Sequence, residues 1–111
     1  MLIIVRKASV FYGKINLTDK NGNTVVLSDG DELIFSVKKS LATDSPVIIR
    51  KSVSDYDQIN GAYLFTLSAD ETNIPHGTYF YDIALKLSNG EFYHVTPADQ
   101  FIVKETVSRK E

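Results

Sequence analysis

The chain of 111 residues fits one domain, and its 43% hydrophobic and 23% charged residues are the balance of a globular protein. A net charge of −2 leaves no basic excess to collect phosphates, so the usual electrostatic footprint of nucleic-acid binding is missing. With no cysteine, disulfides, thiolate metal sites and cysteine nucleophiles are excluded together, and no stretch approaches the ~20 apolar residues of a membrane-spanning helix.

"MLIIVRKASV" opens with a continuous apolar run over Leu2 to Val5 only. A secretory signal puts basic residues before a longer apolar stretch. Here Arg6 and Lys7 follow the run, so the reading is a first strand near 2–10 and no signal peptide. A second strand is expected near 12–18, followed by the turn sequence "DKNGN" at Asp19 to Asn23. In an EF-hand register the glycine is sixth, which would place the first ligand on Leu17, a side chain that cannot coordinate. The hairpin reading therefore stands, with a strand near 24–28 after it. "SDGD" at Ser28 to Asp31 turns the chain into "DELIFSVKK", where Leu33, Phe35 and Val37 alternate with Ile34, Ser36 and Lys38. That alternation predicts a half-buried strand at 32–39.

Further strands are expected at 46–53 and at 62–68, the latter with Tyr63, Phe65 and Leu67 on one face and Asn60-Gly61 as the preceding turn. "SADETNIPHG" starts with Ser68 and carries acid in its first turn, which suits one helical turn joining strands of different sheets. The strand at 78–87 places Tyr79, Tyr81, Ile83, Leu85 and Leu87 on one face, with Asp82, Lys86 and Ser88 on the other. Asn89-Gly90 turns into 91–96, and 100–107 closes the set. Many short strands with regular turn signals predict an all-β sandwich or barrel. The domain is expected over 1–103, with a polar tail at 104–111 that frays or links to a partner.

Both histidines and five aromatic rings fall in "PHGTYFYDIALKLSNGEFYHV" at Pro75 to Val95. Tyr79 sits where an immunoglobulin-like sandwich sends a tyrosine hydroxyl back to the preceding loop, with Tyr81 then pointing into the core; the alternative is an ordinary core aromatic. A two-residue Asn89-Gly90 turn would set Leu87 opposite Phe92 and Leu85 opposite His94, with Tyr93 and Val95 outward. A bulge would exchange the two faces. His76 lies in a loop and is expected exposed. Two histidines this far apart do not make a zinc site, and the carboxylates of "SDGDE" and "SDYD" read as solvated turn residues. No nucleophile elbow and no phosphate-cradling glycine loop occurs. Tyr12, Tyr56 and Tyr93 are the rings expected at the surface, scattered rather than clustered.

"VVLSDGDELIFSVKKS", "PVIIRKSV" and "GAYLFTLSADETNIPHGTYFYDIALKLSNGEFYHVTPADQFIV" together resemble the immunoglobulin-like domain of phage tail and baseplate proteins, among them the N-terminal domain of the siphophage baseplate upper protein. The features that match are Gly30-Asp31 opening a strand, "FTLSADET" at Phe65 to Thr72, "GTYFYDI" at Gly77 to Ile83, the Asn89-Gly90 hairpin and a closing strand at Phe101 to Val103, and they cover about Val25 to Val103. Baseplate upper proteins continue into a stalk and a receptor-binding-protein platform that has no counterpart through Glu111, so trimerisation and host recognition do not carry over. The resemblance implies an immunoglobulin-like β-sandwich of two antiparallel sheets. It implies a non-enzymatic structural or adaptor module of a phage or prophage tail, made in the host cytoplasm and placed in the virion. Its partners would be other tail or baseplate proteins or further copies of itself, not nucleic acid or membrane, with no catalytic, cofactor-binding or metal residues. The alternative is a carbohydrate- or cell-surface-binding module, which would need its exposed rings in one patch. Lys38, Lys39, Arg50 and Lys51 are candidates for blunting a sheet edge. The expected core is Leu33, Phe35, Val37, Ile49, Tyr63, Phe65, Leu67, Tyr79, Tyr81, Ile83 and Leu85.

Overall fold

A computed structural model describes residues 2–18, 21–27, 29–42, 44–95 and 98–105. The strands are β1 (Ile3–Arg6), β2 (Phe11–Ile15), β3 (Glu32–Lys38), β4 (Val47–Val53), β5 (Asp55–Asp57), β6 (Ala62–Leu67), β7 (Gly77–Lys86), β8 (Phe92–His94) and β9 (Asp99–Lys104). They form two sheets. The larger has the order β1-β9-β7-β3-β4, with β8 also on β7, and the smaller has the order β2-β6-β5. All pairings are antiparallel except β1 with β9, which is parallel, so the large sheet departs from the expected wholly antiparallel one.

Alternation places one apolar face of each sheet against the other, and the core lies between them. Phe35 is its centre. Its ring stands 4.7 Å from Phe65 of the small sheet, 5.4 Å from Tyr81 and 6.1 Å from Phe101. Every residue expected in the core is buried except Leu85, which is partly buried against it. Phe101, Val53, Val103, Val5, Ile15 and Leu17 join them.

Four expectations are corrected. The segment 24–28 is no strand among its described residues: Thr24 makes one isolated bridge to Thr18, and the amide of Leu27 donates to the Tyr63 hydroxyl at 2.7 Å. Ser28 lies outside the described residues, as do Asp19 and Lys20 of the expected hairpin and residues 106–111 of the tail. A strand does form at Asp55–Asp57. The first strand is broken after Arg6, because Ala8 takes a left-handed φ of 59° and the chain crosses there from one sheet to the other.

Finally, neither Asn-Gly pair is a two-residue turn. Gly61 and Gly90 have positive φ (64° and 93°), but neither asparagine does, and a type I′ turn needs both. Asp57 pairs with Ala62 across a four-residue loop. At the second site the amide of Gly90 donates to the Leu87 carbonyl at 2.9 Å and the amide of Leu87 to the Glu91 carbonyl at 2.8 Å. This is a three-residue loop closed by a left-handed glycine. The pairing thus slips by one residue, to Leu85 with Tyr93 and Ala84 with His94.

Candidate functional site

The slip decides where the side chains at the end of the Pro75 to Val95 stretch go. His94 leaves the core side expected for it and joins Asp82 on the outer face of the large sheet, Nδ1 to Oδ2 3.5 Å. Its side chain is 67% exposed. Tyr93 and Val95 take the core-side face instead; Val95 packs on the core, while Tyr93 stays half exposed beyond it. The Tyr93 hydroxyl donates to Glu91, and the Asn89 side-chain amide donates to the same carboxylate. These bonds hold the Glu91 pKa down, and the carboxylate raises that of the Tyr93 phenol. His76 is exposed as expected, with Glu105 3.5 Å away.

Tyr79 makes the corner bond. Its hydroxyl donates to the Pro75 carbonyl at 2.6 Å, four residues back, and burial raises its pKa. Tyr81 is buried in the core beside it. The turn carboxylates have structural work. Asp31 accepts from the Ser88 amide at 2.9 Å, tying two loops together. Asp57 accepts from the Asn60 side chain and the Ile59 amide, which together lower its pKa. Among the described residues no three His, Asp or Glu side chains converge.

Rings at the surface fall in separate places. Tyr12 is 77% exposed on the outer side of β2, in the small sheet. Phe92 is 53% exposed on the outer face of the large sheet, its ring edge-on to His94 at 5.6 Å. Tyr93 lies on the opposite face from Phe92, and Tyr56 packs on Tyr63 at 4.9 Å. They do not make the single patch that sugar stacking would use. A shallow hollow of about 340 Å³ on the outer face runs between Arg50, Lys38, Ser36, Asp82, Phe92 and His94.

The sheet edges differ more. β4 ends the large sheet. Its Lys51 lies on the inward face between Ile49 and Val53, and its ammonium meets Glu71 at 2.9 Å. An inward-pointing charge on an edge strand blocks the addition of another strand. Arg50 and Lys39 are solvent-exposed, and Lys38 pairs with Val47. The partner carboxylate comes from the turn after β6, a capping box: the Ser68 amide donates to Glu71 at 2.8 Å and the Glu71 amide to the Ser68 hydroxyl at 3.1 Å. Burial alone would raise the Glu71 pKa, but the Ser68 amide and the Lys51 ammonium together hold it below the usual value.

β2 ends the small sheet and carries no inward-pointing charge; its one charge, Lys14, is exposed on the outer side. Its inward face reads Phe11, Gly13, Ile15. The Phe65 ring lies over Gly13, where a Cβ would run into the ring. Beside it an apolar slot of about 300 Å³ opens between the two sheets, lined by Ile3, Phe11, Ile15, Phe35, Phe65 and Tyr81 among others. Period-two spacing could have found the inward glycine. It could not have found the opening, which depends on which strands lack neighbours. No known family pattern matches the chain, and no curated protein matches it in sequence.

Proposed function

We propose that the chain is an immunoglobulin-like sandwich serving as a structural or adaptor module of a phage or prophage tail or baseplate, and that it works through protein–protein contacts. The sheet order supports the fold reading. β2-β6-β5 corresponds to strands B, E and D of such a domain, and β4-β3-β7-β9 to C′, C, F and G. The bond from Tyr79 to Pro75 supports the same reading as a tyrosine corner.

The observation that carries the adaptor role is the unequal treatment of edges. An edge with no inward-pointing charge, backed by apolar surface, is where a sandwich recruits another chain, and β2 has that character while β4 does not. Placement in a tail rests on the sequence resemblance over Val25 to Val103. The experiment is mass spectrometry of particles purified from the source culture after prophage induction. The expected result is this chain in intact particles, at several copies each. Particles that lack it, with the chain left in the soluble fraction, would sink the tail reading and put glycan-array binding first.

A further inference from the structure

We propose that the unpaired edge of β2 accepts an extended segment of a partner protein, acidic at its flanks, which adds a strand to the small sheet and seats an apolar side chain in the slot between β1 and β2. This deepens the protein–protein reading above and rests on it.

Three observations carry it. The first is backbone. Phe11–Ile15 pairs with β6 on one side, and among the described residues no strand lies on the other. Five residues of edge span about 17 Å at ~3.4 Å each, the length of an ordinary strand. An edge of this kind offers main-chain donors and acceptors that a strand, and not a helix or a sugar, satisfies.

The second is the slot. Strand addition gives affinity through the main chain and specificity through pockets for alternate side chains. Here the pocket stands directly under the free edge. Gly13 makes room for the Phe65 ring, which forms one wall of it, and Phe35 and Tyr81 line its depth. β2 supplies all of Phe11 to Ile15 to the wall and β1 only Ile3, so the docking strand is assigned to β2.

The third is charge. Residues 2–18, which form β1, β2 and the crossover between them, contain no acidic residue; Lys7 donates to the Ile74 carbonyl at 3.2 Å, which leaves Arg6 and Lys14 as the cations flanking the edge, with Asp57 of β5 acting on Lys14 from within the small sheet. Lys14 is exposed on β2 itself. Acidic flanks complement this stretch. The β2 edge of a second copy carries no acidic residue to complement it.

The test is an NMR titration of the full chain with a short synthetic peptide alternating valine and threonine and ending in glutamates. Two copies N-methylated on either alternate set of backbone nitrogens serve as controls, as does a copy ending in lysines. Saturating amide shifts over Phe11–Ile15 are expected with the parent peptide, and one of the two N-methylated copies should lose binding. The lysine-ended copy, and Lys14→Glu with the parent peptide, should each bind about fivefold or more weakly at low salt. Ile3→Phe, which fills the slot from the β1 side, should lose binding while still unfolding cooperatively. The proposal is overturned by absence of saturating shifts in β2, by both N-methylated copies binding like the parent, or by the chain dimerising through β2 without peptide. If the peptide fails while the chain is still found in particles, only this inference falls. If the peptide binds while particles lack the chain, the tail reading falls and the strand acceptor remains.

Discussion

The two flanks of the sandwich solve the same problem differently. On one flank the chain passes from the large sheet to the small one through Ser54 alone, between β4 and β5. So short a connection draws the edges together: Val53 is fully buried, Tyr56 packs on Tyr63, and Lys51 is drawn inward to Glu71. On the other flank four residues, 7–10, join β1 to β2. They are pinned along residues 7–9: the Lys7 amide donates to the Lys104 carbonyl at 2.9 Å and its ammonium to the Ile74 carbonyl at 3.2 Å. The buried Thr72 hydroxyl donates to the Ser9 carbonyl at 2.6 Å and accepts from its amide at 2.9 Å, and the Ala8 amide donates to the Thr72 carbonyl at 3.2 Å. Away from these anchors the strands are not held together, and the slot lies between them. A one-residue crossing closes a flank, whereas a four-residue crossing, even pinned, leaves a strand edge for something else.

The largest effect belongs to the group both flanks share. Phe35 is fully buried and touches rings from both sheets. Phe35→Ala should cost about 3–5 kcal/mol in urea unfolding, as large aromatic truncations do. A loss below about 1 kcal/mol would mean that the flanks, not a common centre, hold the sheets together.

Next in size is Gly13, which separates the flanks chemically. Any Cβ there runs into the Phe65 ring, which packs on Phe35, so Gly13→Ala must displace that ring. The expected loss is about 1–3 kcal/mol, typical of overpacking. An unchanged midpoint would show that Phe65 moves freely into the slot, and the slot would then be a soft region rather than a formed pocket.

Much of this architecture was legible in period-two spacing. The inward faces of β3, β6 and β7 were readable residue by residue, because a strand half buried between sheets must alternate. Phe101 and Val103 carry the same signal. Leu85 is only partly buried because it lies near the end of β7, opposite a half-exposed Tyr93. The misses have physical causes. Aspartate is poor in strands, yet Asp55–Asp57 is one, because the step through Ser54 delivers it to the edge of β6. "TVVLS" has strand composition, but its described residues find only one bridge. Asn-Gly marked the turns without fixing their lengths, and at Asn89-Gly90 that single residue moved His94 from the core side to the solvent. The capping box was visible in Ser68 and Glu71, whereas its bond to Lys51 joins residues twenty apart in sequence and needed the fold. The β2 edge is the least legible feature, since a strand's sequence does not state which neighbour is missing.

The smallest effect tests whether the guarded flank is guarded by charge. The folded Glu71 pKa lies below its ordinary value of 4.5. A depressed carboxylate favours the fold above the unfolded pKa, and that contribution is lost as pH falls through the folded value. Glu71→Gln keeps an oxygen to accept from the Ser68 amide but removes the ion pair with Lys51. Both side chains are about a third exposed, so water screens the pair and the difference from the parent should stay under about 1 kcal/mol at pH 7. It should shrink as pH drops below about 4.5 and vanish once Glu71 is protonated in the parent as well. Urea midpoints of both proteins between pH 7 and pH 3 would read it. A difference that stays constant across that range would assign the loss to the capping bond alone. Lys51 would then guard β4 by its inward position rather than by its partner, and the contrast with the open β2 edge would be one of shape rather than of charge.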